Sequence, residues 1–252
     1  MCAHRVLPIL GQSAPPGANP PRHQVPAALP QTPHVLQSYY EALLRAYGPQ
    51  HWWPGRTRFE VIVGAILTQN TSWTNVERAI RNLRREKLLS PAAIARVSPA
   101  RLARLIRSSG YFRQKARKLK AFVRFLRDAH QGSLTKMLRT PTAVLREQLL
   151  AVHGIGPETA DSILLYAGKH PVFVVDAYTR RILERHHLAH GKQSYEEIRA
   201  LFERSLPLSA ALFNEYHGLI VRTGKDLCRA RAPLCENCAL QPFLPPSPEA
   251  AP

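Results

Sequence analysis

Acidic residues are scarce in this chain. Asp and Glu number 17 against 35 Lys and Arg, giving a formal net charge of +18. A field of that sign attracts polyanions, and nucleic acid is the commonest of them. Cysteine is scarce too. Of four, three fall between Cys228 and Cys238, which argues against the disulfide framework of a small secreted domain. No apolar run approaches the ~20 residues needed to cross a bilayer, so no membrane partner is expected. The opening MCAHRVLPILGQSAPPG has one short apolar patch broken by Pro8, a poor signal peptide, and the expected location is cytoplasmic. Alternating apolar and polar runs are almost absent, which leaves little material for a sheet.

What remains is helical patterning. HVLQSYYEALLRAYG repeats apolar residues at helical spacing and stops at Gly48. RFEVIVGAILTQN is apolar on nearly every side, as in a buried central helix. SPAAIARVS and SPARLARLIRSSG each open on Ser-Pro, an N-cap followed by proline at the first helical position. QKARKLKAFVRFLRDA is amphipathic and basic. The expected class is all-α with short connections. Residues 1–33 and 244–252 are rich in proline and small residues without apolar periodicity. They are expected to be disordered tails.

Within LLAVHGIGPETADSILLYA the pattern reads helix, tight turn, helix. Gly154 and Gly156 suit a turn with unusual dihedrals, and Pro157 suits the first position of the second helix. Free N–H groups there, including those of Ile155 and Thr159, would receive a phosphate without reading any base. The residues alone leave open an ordinary helix–Gly–helix connection. Further on, VFVVDAYTRRIL places Asp176 after an apolar run and before a helix, where it can serve as an N-cap. All three tryptophans flank the buried helix: Trp52 and Trp53, beside Pro54, precede it, and Trp73 follows it. Flat side chains so placed can hold a base taken out of its stack or can fill the core, and Trp53 is the expected core member.

Leu-x-x-x-x-Gly-Ile-Gly-x-x-Thr-Ala followed by Val-Val-Asp resembles the helix–hairpin–helix DNA glycosylases (HhH-GPD) of the endonuclease III superfamily. FEVIVGAILTQNTSWTNVERAI and IRSSGYFRQKARKLKAF carry the resemblance upstream, and Cys228, Cys235 and Cys238 carry it downstream. Trp-Pro before Phe-Glu, with Leu-Thr-Gln-Asn-Thr and an aromatic after it, is most similar to the bacterial 3-methyladenine glycosylases of that superfamily.

The resemblance implies a two-domain helical fold with the DNA cleft between domains. Residues 34–57 with 173–243, including the cysteine loop, would form one domain, and 58–172 with the hairpin the other. It implies that Asp176 is catalytic, stabilising positive charge on the sugar. Bifunctional relatives carry a lysine where this chain has Glu158. Glutamate cannot form an imine, so the expected activity is monofunctional base release without strand cleavage. Trp52, Pro54 and Trp73 are expected to line the base pocket. Gln69 and Asn70 are expected either to wedge into the duplex or simply to end a helix.

No cofactor is needed for such chemistry. A cubane cluster wants four thiolates, and Leu244 stands where the fourth is expected. The three cysteines then leave open an incomplete [4Fe-4S] site, a zinc site completed by a histidine such as His217, or an empty site. The expected partner is double-stranded DNA with a damaged base, bound by a monomer. Rival readings are a glycosylase for oxidised or mismatched bases, and a non-catalytic helix–hairpin–helix binding module.

Overall fold

The helices begin where the capping chemistry puts them. The computed structural model describes residues 32–53 and 55–245. Both expected tails fall largely outside that range, and Pro54 lies outside it too. The described residues form helices and loops without a strand. Helix α1 (Thr32–Tyr47) ends before Gly48, whose φ of 65° terminates it in the left-handed region. Helix α2 (Arg58–Leu67) starts from Thr57, whose hydroxyl accepts from the Glu60 N–H at 3.1 Å. Every residue of α2 after Arg58 is buried. It packs against α3 (Trp73–Arg85), α6 (Phe112–His130), α9 (Pro157–Ser162) and the π-helical turn Ile163–Gly168 that continues α9.

Helices α4 (Pro91–Arg96) and α5 (Pro99–Leu105) have Ser90 and Ser98 as N-caps and proline in the first turn, as the Ser-Pro pairs predict. α6 buries Ala116, Leu119, Phe122, Val123 and Leu126 at helical spacing and leaves Arg113, Arg117, Arg124 and Arg127 exposed. After α7 (Leu134–Leu138), α8 (Thr142–Leu150) leads into the hairpin. Arg146 of α8 clamps Asp161 of α9 through two guanidinium nitrogens, at 2.7 and 3.2 Å, and also reaches Glu196 at 2.6 Å. Asp161 is fully buried, so this clamp fixes the hairpin to α11 (Tyr195–Ser205).

The run Val172–Val175 is buried but not helical, so its backbone needs partners elsewhere. Glu203 accepts from Phe173 N–H at 3.0 Å, and Tyr195 Oη accepts from Val175 N–H at 3.4 Å. Phe173 stacks on Phe202 with ring centroids 3.8 Å apart. α11 thereby sets where the chain emerges into α10 (Ala177–Arg185), whose N-cap is Asp176. α10 packs on α12 (Ala210–Asp226), which also touches the π-helical turn after α9.

Candidate active site

Asp176 is only 14% exposed at its side chain. Its Oδ1 accepts from Thr179 N–H at 2.8 Å and from Thr179 Oγ1 at 2.9 Å. The expected capping role is therefore real, and it occupies one oxygen only. The other, Oδ2, lies 3.6 Å from Nε2 of His217 on α12. His217 is buried, and its Nδ1 is 2.6 Å from the Tyr166 hydroxyl.

Glu158, in the first turn of α9, faces the same place. Water reaches it, yet the protein around it is dense. Desolvation first, and then the charge of Asp176, push its carboxyl up to about 7, while Arg180 pulls it down. Two carboxyl groups thus share one site, and each feels the other's charge.

The tryptophans join this centre through Tyr166. Trp53 lies against the Tyr166 ring at 4.7 Å and meets Trp73 edge-on at 5.1 Å and Trp52 edge-on at 5.8 Å. Trp53 is thus the hub of the cluster, as expected of a packed residue, though it is half-buried rather than part of the closed core. Trp52 passes so close to Gly218 that a Cβ there would sit 2.8 Å from the Trp52 Cβ. Trp73 begins α3 and donates its indole N–H to Glu77 at 2.8 Å.

The hairpin meets expectation at Gly154 and departs from it at Gly156 and Ile155. Gly154 has a φ of +83°, and a Cβ there would come within 2.5 Å of the Lys118 side chain, so glycine is required. Gly156 is ordinary extended backbone, with φ −95° and ψ 179°, and a Cβ there would meet nothing. It caps α9 and needs no glycine freedom. Ile155 is buried, and its N–H donates to Val152 O at 3.0 Å, so it offers a phosphate neither side chain nor donor. Thr159 is buried too, and its hydroxyl accepts from Gln69 Nε2 at 2.9 Å. The α9 N-terminus, where no side chain caps the first turn, is what remains for an anion.

Gln69 is held by the hairpin. Its amide N–H groups donate to Gly154 O at 3.0 Å and to Thr159, and its Oε1 accepts from Lys118 Nζ. Asn70 beside it is exposed with φ 53°. Lys115 supports the same loop from below, donating to Leu67 O at 2.9 Å. None of these long-range bonds has a signature in sequence.

A cavity elsewhere has a volume of about 20 Å³, little more than one water molecule needs. It is lined by Cys228, Cys235, Cys238, Leu244, Arg185 and His186 among others. The three cysteines do converge, but the donor set does not fit a cluster. Leu244 lines the wall with a hydrocarbon, and Arg185 Nη1 donates to Cys228 Sγ at 3.1 Å. Among the described residues no group of three or more His, Cys, Asp or Glu is arranged to hold a metal. His217 is not near the cysteines at all. It belongs to the Asp176 centre, because α12 turns it toward Tyr166. The histidine in the cavity wall is His186, whose Nδ1 is 2.8 Å from Tyr39 Oη.

Residues 63–208 match the HhH-GPD superfamily base excision DNA repair proteins. A Methanocaldococcus jannaschii protein named "Putative DNA repair glycosylase MJ1434" is 47% identical over 83% of this chain and 95% of its own length. Endonuclease III of Thermotoga maritima is 32% identical over 73% of this chain and 80% of its own. The crystal structure of H. pylori 3-methyladenine DNA glycosylase (MagIII) bound to 1,N6-ethenoadenine is similar with a TM-score of 0.65 and 31% identity. That likeness covers 77% of this chain and 97% of the other. The chain belongs to the HhH-GPD superfamily of base excision DNA repair proteins, as a DNA glycosylase of the endonuclease III type.

Proposed function

We propose that this glycosylase is monofunctional and hydrolyses the N-glycosidic bond of alkylated purines, 3-methyladenine-like bases above all, in double-stranded DNA. The observation that carries the reading is the residue opposite Asp176: Glu158, with its carboxyl pushed up to about 7 partly by Asp176 itself. A carboxyl group there cannot form the imine that strand cleavage by β-elimination requires.

In the proposed reaction the nucleotide is flipped out and its base held by Trp52 and Trp73, a role that the proposal extends to Pro54. A cationic alkylpurine gains about 0.5–2 kcal/mol against an indole face. The C1′–N bond breaks, and its electron pair leaves on the purine, which departs neutral. Asp176 Oδ2 stabilises the positive charge on the sugar, water adds to C1′, and Asp176 takes the water's proton. Glu158, partly protonated at neutral pH, donates a hydrogen bond to the extruded base. The α9 N-terminus and the exposed basic face of α6 take phosphates, and Gln69 and Asn70 fill the gap in the duplex. The likeness to a 3-methyladenine glycosylase with ethenoadenine supports this choice of substrate. The reading includes action as a monomer in the cytoplasm, two helical domains flanking the cleft, and chemistry that needs no cofactor.

Duplex DNA with an abasic site, incubated with the protein and borohydride, tests the lyase half of this reading. The expected result is neither nicking nor a covalent adduct. A trapped complex would mean that an amine elsewhere in the chain attacks C1′.

A further inference from the structure

We propose that His217, fixed in one tautomer by Tyr166, is a positioning residue for base excision that holds Asp176 Oδ2 toward the sugar. This rests on the reading of Asp176 as the reacting carboxylate.

The geometry gives His217 two neighbours and one unmet need. It is 4% exposed. Its Nδ1 is 2.6 Å from Tyr166 Oη, and its Nε2 is buried without a hydrogen-bond partner among the described residues. Asp176 Oδ2 lies 3.6 Å from that nitrogen. A histidine that merely filled the core would have both nitrogens satisfied or turned from charge.

The tautomer follows from the chemistry of the three groups. Tyr166 is buried, and burial together with the charge of Asp176 keeps its phenol protonated. Burial likewise favours the neutral form of His217. A neutral imidazole has one N–H and one lone pair. With the proton on Nδ1, a lone pair on Nε2 would face a carboxylate, and the Tyr166 proton would lose its acceptor. With Tyr166 donating to Nδ1, the proton sits on Nε2 and points at Oδ2. Only the second arrangement is attractive at both ends.

At 3.6 Å this N–H does not form a full hydrogen bond. It therefore aims Oδ2 without neutralising it. Thr179 already holds Oδ1, so the two contacts together set the plane of the carboxylate. Tyr166 also lies against Trp53, the hub of the tryptophan cluster. The base-holding rings and the carboxylate are thus referenced to one rigid pair of side chains.

The test is single-turnover excision of 3-methyladenine by the full chain, with rate and half-saturation read separately. Tyr166→Phe keeps the ring on Trp53 and removes only the hydroxyl. His217→Leu removes the donor, and His217→Gln restores an N–H at similar reach. His217→Leu should slow the chemical step roughly three- to tenfold, less than the worth of a full hydrogen bond to a charged group, with half-saturation unchanged. Tyr166→Phe should slow it in the same sense, and His217→Gln should recover rate over His217→Leu. In an Asp176→Asn background His217→Leu should cause no further loss, because it acts through that carboxylate.

Should His217→Leu fail to fold, Tyr166→Phe decides. Wild-type rates in Tyr166→Phe and His217→Leu, with Asp176→Asn inactive, would overturn the positioning role alone. An active Asp176→Asn would overturn it together with the reading it rests on.

Discussion

The two ends of α10 have opposite characters. At its N-terminus, Asp176 gathers Thr179, His217 and Glu158 into a centre where buried polar groups are kept at a cost in stability. At its C-terminus, Arg185 and His186 border a cavity that holds three thiols and, among the described residues, no fourth. Leu244 lines its wall with hydrocarbon, and Arg185 donates to Cys228 Sγ. The difference separates two kinds of requirement. In the proposed reaction, stabilising charge at C1′ needs a carboxylate at one place, and nothing apolar replaces it. Under the proposed function the cysteine cavity carries no such requirement, because base release needs no cofactor.

The comparison is broken most directly at Asp176. Asp176→Asn keeps the shape and the capping acceptor but loses the charge. Base release should fall below a tenth of wild type, a barrier increase above about 1.4 kcal/mol, while affinity for undamaged duplex is retained. Residual activity above a tenth would give α10 two structural ends rather than one chemical end.

Trp73→Ala should cost about 1–3 kcal/mol on excision of cationic alkylpurines through loss of one stacking face. Non-specific binding, which comes from phosphate contacts, should barely change when measured at the same salt concentration. Equal losses in both would make Trp73 a core residue.

Glu158→Gln sharpens the contrast through pH. The Glu158 carboxyl is raised from 4.5 to about 7 in the folded chain. Between those values the native state holds a proton that the unfolded state has released. Stability contributed by this group is therefore present at low pH and is lost as pH rises through about 7. Thermal melts of wild type minus Glu158→Gln across that window should slope downward with pH. A flat difference would remove the coupling between the two carboxyls.

The smallest effect belongs to the other end of the helix. Cys235→Ser should change stability by no more than about 1 kcal/mol, as for a half-buried thiol that holds no metal. Leu244→Cys, reconstituted anaerobically with iron and sulfide, should take up about four irons where wild type takes up fewer. A wild-type chain with a full cluster, or a collapse of stability in Cys235→Ser, would erase the contrast.

Much of this architecture is local and therefore legible in sequence. Ser90 and Ser98 announce their helices because a cap acts within three residues. The apolar α2 stretch announces its burial, and Asp176 its capping role. Contacts between distant segments leave no such trace. Tyr166 and His217 are 51 residues apart, and the sequence points His217 only toward the cysteines nearby in the chain. Gln69 reads as a helix terminus, yet its partners are Lys118, Gly154 and Thr159. The Gly-Ile-Gly motif suggests two special glycines, whereas the fold uses the freedom of Gly154 alone. The π-helical turn after α9, which carries Tyr166 into the site, likewise has no local signal in Ile163–Gly168.

The most direct measurement is the product formed from duplex DNA methylated at N3 and N7 of purines, resolved by chromatography of the free bases and by strand length. Wild-type protein should release free 3-methyladenine and leave the strand intact until alkali is added. Strand cleavage without alkali, or release confined to oxidised or mismatched bases, would contradict the account.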